Sequence, residues 1–248
     1  MRPPSRTLSL AVVVATVTAG CGVFDGIGMP GLRTLGGSGT VVTVPFDVGP
    51  FDRVRLTGIG DVEITTGRAP GVELATDDNL VEYLEVTVEG NTLVLSVRER
   101  TNLRPTSGVT FRVSTGDLAG LELSGAGSMT VEDWQADEAD VTLSGAGDVA
   151  VGTIEASRLE VTIAGLGSVQ VAGSTEILDV GVSGIGDFRG RDLEAAEVTA
   201  RLSGLGSAEV WAVEHLDVVL SGAGSLRYLG NPEVESQVSG AGKVEPLG

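Results

Sequence analysis

The sequence predicts an all-β chain folded as a single-stranded parallel β-helix, a solenoid with rungs of ~19 residues and Ser-Gly-x-Gly corners. Three observations predict it. A five-residue phrase recurs at a fixed spacing, its flanks alternate apolar and polar residues with period two, and no stretch of the 248 residues supports a long helix. The phrase reads SGAGS at 124–128, SGAGD at 144–148, AGLGS at 164–168 and SGIGD at 183–187, then SGLGS at 203–207, SGAGS at 221–225 and SGAGK at 239–243. Starts are separated by 20, 20, 19, 20, 18 and 18 residues, and an outlying copy, TGIGD, occupies 57–61. These eight copies hold sixteen of the 37 glycines, so the glycine excess marks one repeated local conformation.

From the N-terminus, residues 1–20 read as a lipoprotein signal peptide. Arg2 and Arg6 form a positive n-region, and the apolar stretch Leu8 to Val17 is too short to span a ~30 Å hydrocarbon core. Thr18-Ala19-Gly20-Cys21 resembles a bacterial lipobox, with Thr18 where an aliphatic residue is commoner. Lipidation of Cys21 would explain both the position and the uniqueness of the only cysteine; the alternative is an ordinary secretory signal with an incidental thiol. The lipid on Cys21 would make the membrane the first partner, at the outer membrane or the outer face of the cytoplasmic membrane. Residues 21–39, with seven glycines after Cys21, read as a tether.

Residues 40–248 read as the β-helix domain, less regular over 40–118 and regular over 119–248. In the regular part, Leu121/Leu123, Val141/Leu143, Val161/Ile163, Val180/Val182 and Val218/Leu220 precede the phrase, and Met129/Val131, Val149/Val151 and Val169/Val171 follow it. A unit this short cannot bury its own apolar face, so rungs must stack at ~4.8 Å, about ten of them over roughly 50 Å. Within the phrase, the residue between the glycines (Ala126, Ala146, Leu166, Ile185, Leu205, Ala223, Ala241) is expected to point inward. In the irregular part a turn falls at Gly90-Asn91, and a short helical turn around Asn79–Tyr83 follows Asp77-Asp78-Asn79, whose side-chain oxygens suit free N–H groups.

Phe51-Asp52-x-Val54, Gly58-Ile59-Gly60-Asp61-Val62 and Ala75-Thr76-Asp77-Asp78-Asn79 resemble the opening of the head GIN domain family, described as putative auto-transporter adhesins, and the SG-x-G repeats continue the likeness to the C-terminus. The resemblance implies an all-β, right-handed helix on secreted or lipid-anchored envelope proteins, and it brings no catalytic residues.

Composition narrows the function classes. A net charge of −18 repels a phosphate backbone, so no nucleic acid is expected. One histidine and one cysteine leave little for zinc or triad chemistry, and the repeated serines read as structural. The residues after the second glycine (Ser128, Asp148, Ser168, Asp187, Ser207, Ser225, Lys243) have the wrong spacing for a calcium nonapeptide, which leaves weak ion binding on the acidic surface. Glu132, Asp133, Glu138, Asp140, Glu160, Glu176 and Glu194 could pair as carboxylates in a polysaccharide-active β-helix enzyme, but they fall in turns and outward positions. Trp134, Trp211 and Tyr228 read as core or rung-end residues, and His215 as a surface residue. No catalytic, cofactor-binding or metal residue is assigned. The reading is a non-enzymatic, lipid-anchored module of the bacterial cell envelope, structural or adhesive, with an envelope protein or glycan as partner. The alternatives are the polysaccharide-active enzyme and a protein binding a lipid or small ligand.

Overall fold

The computed structural model describes residues 33–247; the signal sequence, Cys21 and the start of the tether lie outside them. Eighteen strands run in chain order: β1 (Arg33–Gly36), β2 (Val41–Phe46), β3 (Arg53–Leu56), β4 (Ile59–Thr65), β5 (Gly71–Asp77), β6 (Leu84–Glu89), β7 (Thr92–Val97), β8 (Thr101–Arg104) and β9 (Thr110–Ser114). The regular part continues with β10 (Gly120–Leu123), β11 (Ala126–Leu143), β12 (Ala146–Ile163), β13 (Leu166–Val182), β14 (Ile185–Leu202), β15 (Ser207–Leu220), β16 (Ser225–Leu229), β17 (Glu233–Val238) and β18 (Lys243–Pro246). The expected helical turn is a 3-10 helix over Asp78–Tyr83.

From β3 and β4 upward every pairing is parallel, and above β10 and the start of β11 each rung lies on the one about 20 residues earlier, giving a solenoid of about six turns. The period-two flanks produce interior ladders. Leu56, Leu123, Leu143, Ile163, Val182, Leu202 and Leu220 stack in register, all at 2% exposure or less. Phe188 continues the column of Met129, Val149 and Val169, and Gly190 leaves the space its ring needs: a Cβ there would meet the Phe188 ring at 2.5 Å.

The stack is shorter than ten rungs because residues 66–118 do not climb it. They close its lower end with antiparallel strands instead: β6 on β7, β5 on β9 and β2 on β5. Only β7 and β9 of this segment join the parallel columns, beneath β3 and β4. The ordered body also begins earlier than residue 40. Arg33–Gly36, in the stretch read as tether, pairs in parallel with β8 because Thr101–Arg104 offers a free strand edge.

Candidate functional site

The phrase falls at the strand junctions, and its eight copies form one unbroken column. TGIGD at 57–61, 67 residues before its neighbour in sequence, lies directly beneath SGAGS: Ala126 opposes Ile59, Gly127 opposes Gly60 and Ser128 opposes Asp61. At every level the residue between the glycines donates its N–H to the first glycine's carbonyl below, from Ala126 to Gly58 at 2.9 Å up to Ala241 to Gly222 at 3.1 Å. Backbones approach so closely that a Cβ on Gly145 would lie 2.6 Å from the Ser124 carbonyl carbon and closer still to the Gly125 oxygen. In the four lower copies the second glycine adds a positive φ, +146° at Gly127 and +150° at Gly147.

The residues between the glycines point outward, contrary to the inward expectation. Leu166, Ile185 and Leu205 are 54%, 61% and 65% exposed. The physical reason is parity. Interior positions at Leu143 and Val149 are six apart, so strict alternation would place 145 and 147 inside, where only glycine fits against the rung below, and 146 outside.

Beside this stripe, aspartate and serine alternate up the stack. The Ser128 hydroxyl donates to Asp61 at 2.6 Å. Ser168 gives Asp148 both its hydroxyl, at 2.6 Å, and its N–H, at 2.9 Å, and Ser207 does the same for Asp187. The Ser207 hydroxyl, with its N–H, holds the Asp187 carboxyl below the usual carboxylate range against the opposing effect of burial. These carboxylates are occupied by the next rung, and no cluster of three or more metal-ligating side chains is present among the described residues.

Asp77-Asp78-Asn79 is a clamp on the incoming chain. Asp77 is fully buried and turns away from the 3-10 helix it precedes, giving that helix no side-chain cap. It accepts instead from the Thr106 N–H at 2.8 Å and the Gly39 N–H at 2.7 Å. The Thr106 N–H is the leading cause that lowers its pKa, while burial works the other way. Ser38 donates its hydroxyl to Asp78 at 2.5 Å and its N–H to Asn79 at 2.9 Å, and the Asn79 amide donates to the Gly36 carbonyl at 2.9 Å. The motif therefore stitches residues 36–39 to the body.

Of the remaining residues singled out, Trp134 is buried and donates its indole N–H to the Leu118 carbonyl at 2.7 Å. Trp211 and Tyr228 are half-buried, and His215 is exposed, 3.8 Å from Glu233. Glu132, Asp133, Glu138, Glu160, Glu176 and Glu194 are exposed. The register stacks Asp140, Glu160, Asp179, Asp217 and Glu235 in one outer column, interrupted by Thr199. Arg53 bridges to Asp140 and Arg158 to Asp179. A cleft of about 300 Å3 lies between Thr66, Asp117, Asp133, Gln135 and Glu155. The sequence could not announce this cleft, because it exists only where the chain leaves the stack at Thr65 and returns at Gly120.

A ladder with a packed interior and its variation on the outside defines a β-solenoid of the kind that presents a surface. Residues 50–232 match the family described as putative auto-transporter adhesin, head GIN domain, and the chain belongs to that family. Its fold is similar to the crystal structure of a putative adhesin from Bacteroides fragilis NCTC 9343, with 25% identity over 86% of this chain and 100% of that one and a TM-score of 0.82. A putative lipid binding protein from Parabacteroides distasonis ATCC 8503 is 23% identical over 87% of this chain and 100% of its own, with a TM-score of 0.72. A putative adhesin from Parabacteroides merdae ATCC 43184 is 19% identical over 87% and 99%, with a TM-score of 0.68. Among curated proteins none matches the chain.

Proposed function

We propose that the protein is a lipid-anchored, non-enzymatic interaction module of the bacterial cell envelope, attached through Cys21 and displaying the outer face of its solenoid. The observation that carries this reading is the division of labour across each rung. Inward positions are spent on a continuous apolar ladder, and the sequence varies outside, where side chains repeat at the rung spacing of ~4.8 Å. Such spacing suits many individually weak contacts that sum by multivalency. Membership in a family of putative adhesins agrees with display at an exported surface. The clamp at Asp77-Asp78-Asn79 supports a load-bearing attachment, since a pull on the tether meets hydrogen bonds to residues 36–39 before it reaches the stack.

The test is a comparison of binding and turnover. Immobilised full-length protein is exposed to envelope glycans and envelope proteins, with glycan cleavage followed in parallel. Retention of a partner without cleavage is expected. Reproducible cleavage abolished by one carboxylate-to-amide change would overturn the reading in favour of a polysaccharide-active enzyme.

A further inference from the structure

From β11 to β15, the stretch linking the two ladder columns is itself part of a continuous strand. Residues 154–158 of β12 pair with β11 below and β13 above, and residues 194–197 of β14 pair with β13 below and β15 above. The first such stretch differs. Residues 126–131 of β11 lie on β4 and residues 140–143 lie on β10, but among the described residues Gln135–Glu138 has a strand on its upper side only. The cause is the excursion of residues 66–118, which removes the strand that would lie beneath. The free edge is bounded at one end by Asp133, whose carbonyl accepts the Thr66 hydroxyl at 2.7 Å, and at the other by Asp140, whose N–H donates to Ala119 at 3.0 Å. It spans four residues, about 13 Å.

We propose that this edge is a strand-addition site for an extended, basic peptide segment of a partner protein. The proposal deepens the interaction-module reading and rests on it. An unpaired edge supplies main-chain N–H and C=O groups that an extended peptide can satisfy, which is the general basis of β-augmentation. Space is available beside it: the 300 Å3 cleft adjoins Asp133 and Gln135, and the surface over Gln135, Ala136, Asp137 and Glu155 is open. Gly67 forms part of the rim, and even a Cβ there would meet nothing within 4 Å. The wall opposite is fixed, because buried Trp134 is hydrogen-bonded to Leu118.

Charge selects the occupant. The cleft and the adjoining open surface are lined by Asp117, Asp133, Asp137 and Glu155 with no cationic side chain; Glu138 closes the edge, and Arg158, in register above it, is paired with Asp179. A second copy of this chain, at −18, is repelled. A strand with lysine or arginine at alternate positions would place its cations against these carboxylates and its backbone against the edge. Gln135–Glu138 carries no proline and keeps every N–H, in contrast to β2 with Pro45 and β18 with Pro246.

The test uses the full chain with a fluorescent, end-blocked Lys-Val-Lys-Val-Lys-Val peptide, its Glu-Val counterpart, and a Lys-Val version interrupted by proline. Anisotropy gives affinity, and hydrogen–deuterium exchange locates the contact. Binding of the Lys-Val peptide is expected to slow exchange at residues 135–138. The interrupted peptide should bind at least tenfold more weakly, and the Asp137→Lys/Glu155→Lys double variant should reverse the preference toward the Glu-Val peptide. Both substituted side chains are exposed, and an unchanged circular dichroism spectrum verifies the fold of the variant. Protection at β17 or β18 instead, equal binding of the interrupted peptide, or residues 135–138 already protected without peptide would each overturn the site. A partner found in the binding and turnover test whose retention ignores the double variant would overturn the site and leave the module reading standing. Absence of any partner in that test would overturn both.

Discussion

Replacing Gly145 by alanine adds one methyl group where the structure has no room for it. Its φ lies outside the left-handed region, so the entire effect comes from the contact between rungs. The new Cβ would sit 2.6 Å from the Ser124 carbonyl carbon, against about 3.4 Å for ordinary contact. Both neighbours are backbone, so no side chain can swing aside, and the rungs must part. Three hydrogen bonds cross that seam: Gly145 N–H to Leu123 at 3.0 Å, Ala146 N–H to Gly125 at 2.9 Å and Ser144 N–H to Leu123 at 2.9 Å. Weakening two or three of them at about 1 kcal/mol each, with some loss of packing at Leu143 and Val149, gives a destabilisation of about 4 kcal/mol. For a domain of this size that is a fall in melting temperature of roughly 8–16 °C. Thr142→Val changes an outward, half-buried position on the same rung and is expected to stay within about 0.5 kcal/mol. Thermal and urea unfolding followed by far-UV circular dichroism measures both. Melting of Gly145→Ala within about 2 °C of Thr142→Val would refute the reasoning, because the rungs could then separate at no cost.

Asp77→Asn turns an amide N–H donor toward backbone N–H donors, so it is expected to destabilise more than Asp78→Asn and to open residues 33–40 to limited proteolysis; equal proteolysis rates would contradict the clamp. Because Asp77 and Asp187 have pKa values lowered by folding, their stabilisation is complete above the unfolded value of about 3.9 and is lost as pH falls through the folded value. The urea midpoint should therefore fall on acidification below about pH 4, and less steeply in Asp187→Asn. Trp134→Phe leaves the buried Leu118 carbonyl without its donor and should cost about 1–3 kcal/mol in urea unfolding. Cys21→Ser in the full precursor should shift the protein from the membrane fraction to the soluble one; unchanged fractionation would contradict the anchor.

The solenoid was legible because its cause is periodic. Val, Leu and Ile at alternate positions around a fixed phrase leave a parallel ladder as the way to bury them, and Leu123, Leu143 and Ile163 stack as that pattern requires. The orientation inside the phrase was not legible. Ala126 and Leu166 look like core residues by composition, and only counting the alternation through two glycines puts them outside. The clamp was half legible: Asp77-Asp78-Asn79 announces oxygen acceptors, but its donors come from Gly39 and Thr106, about 30 to 40 residues away in either direction. The open edge at Gln135–Glu138 could not be read locally at all, since its segment resembles those above it and differs only in what fails to lie below.

The stacking of residues 57–61 beneath 124–128 bears on how the chain can vary through descent. Closing a loop of 67 residues instead of 20 costs only about 1 kcal/mol more in chain entropy, because the penalty grows with the logarithm of length. Once Gly58 and Gly60 have met Gly125 and Gly127, the level above is indifferent to what lies between. Residues 66–118, between β4 and β10, therefore form a tolerant insertion point, where segments can be lengthened, exchanged or redesigned while the glycine column keeps register.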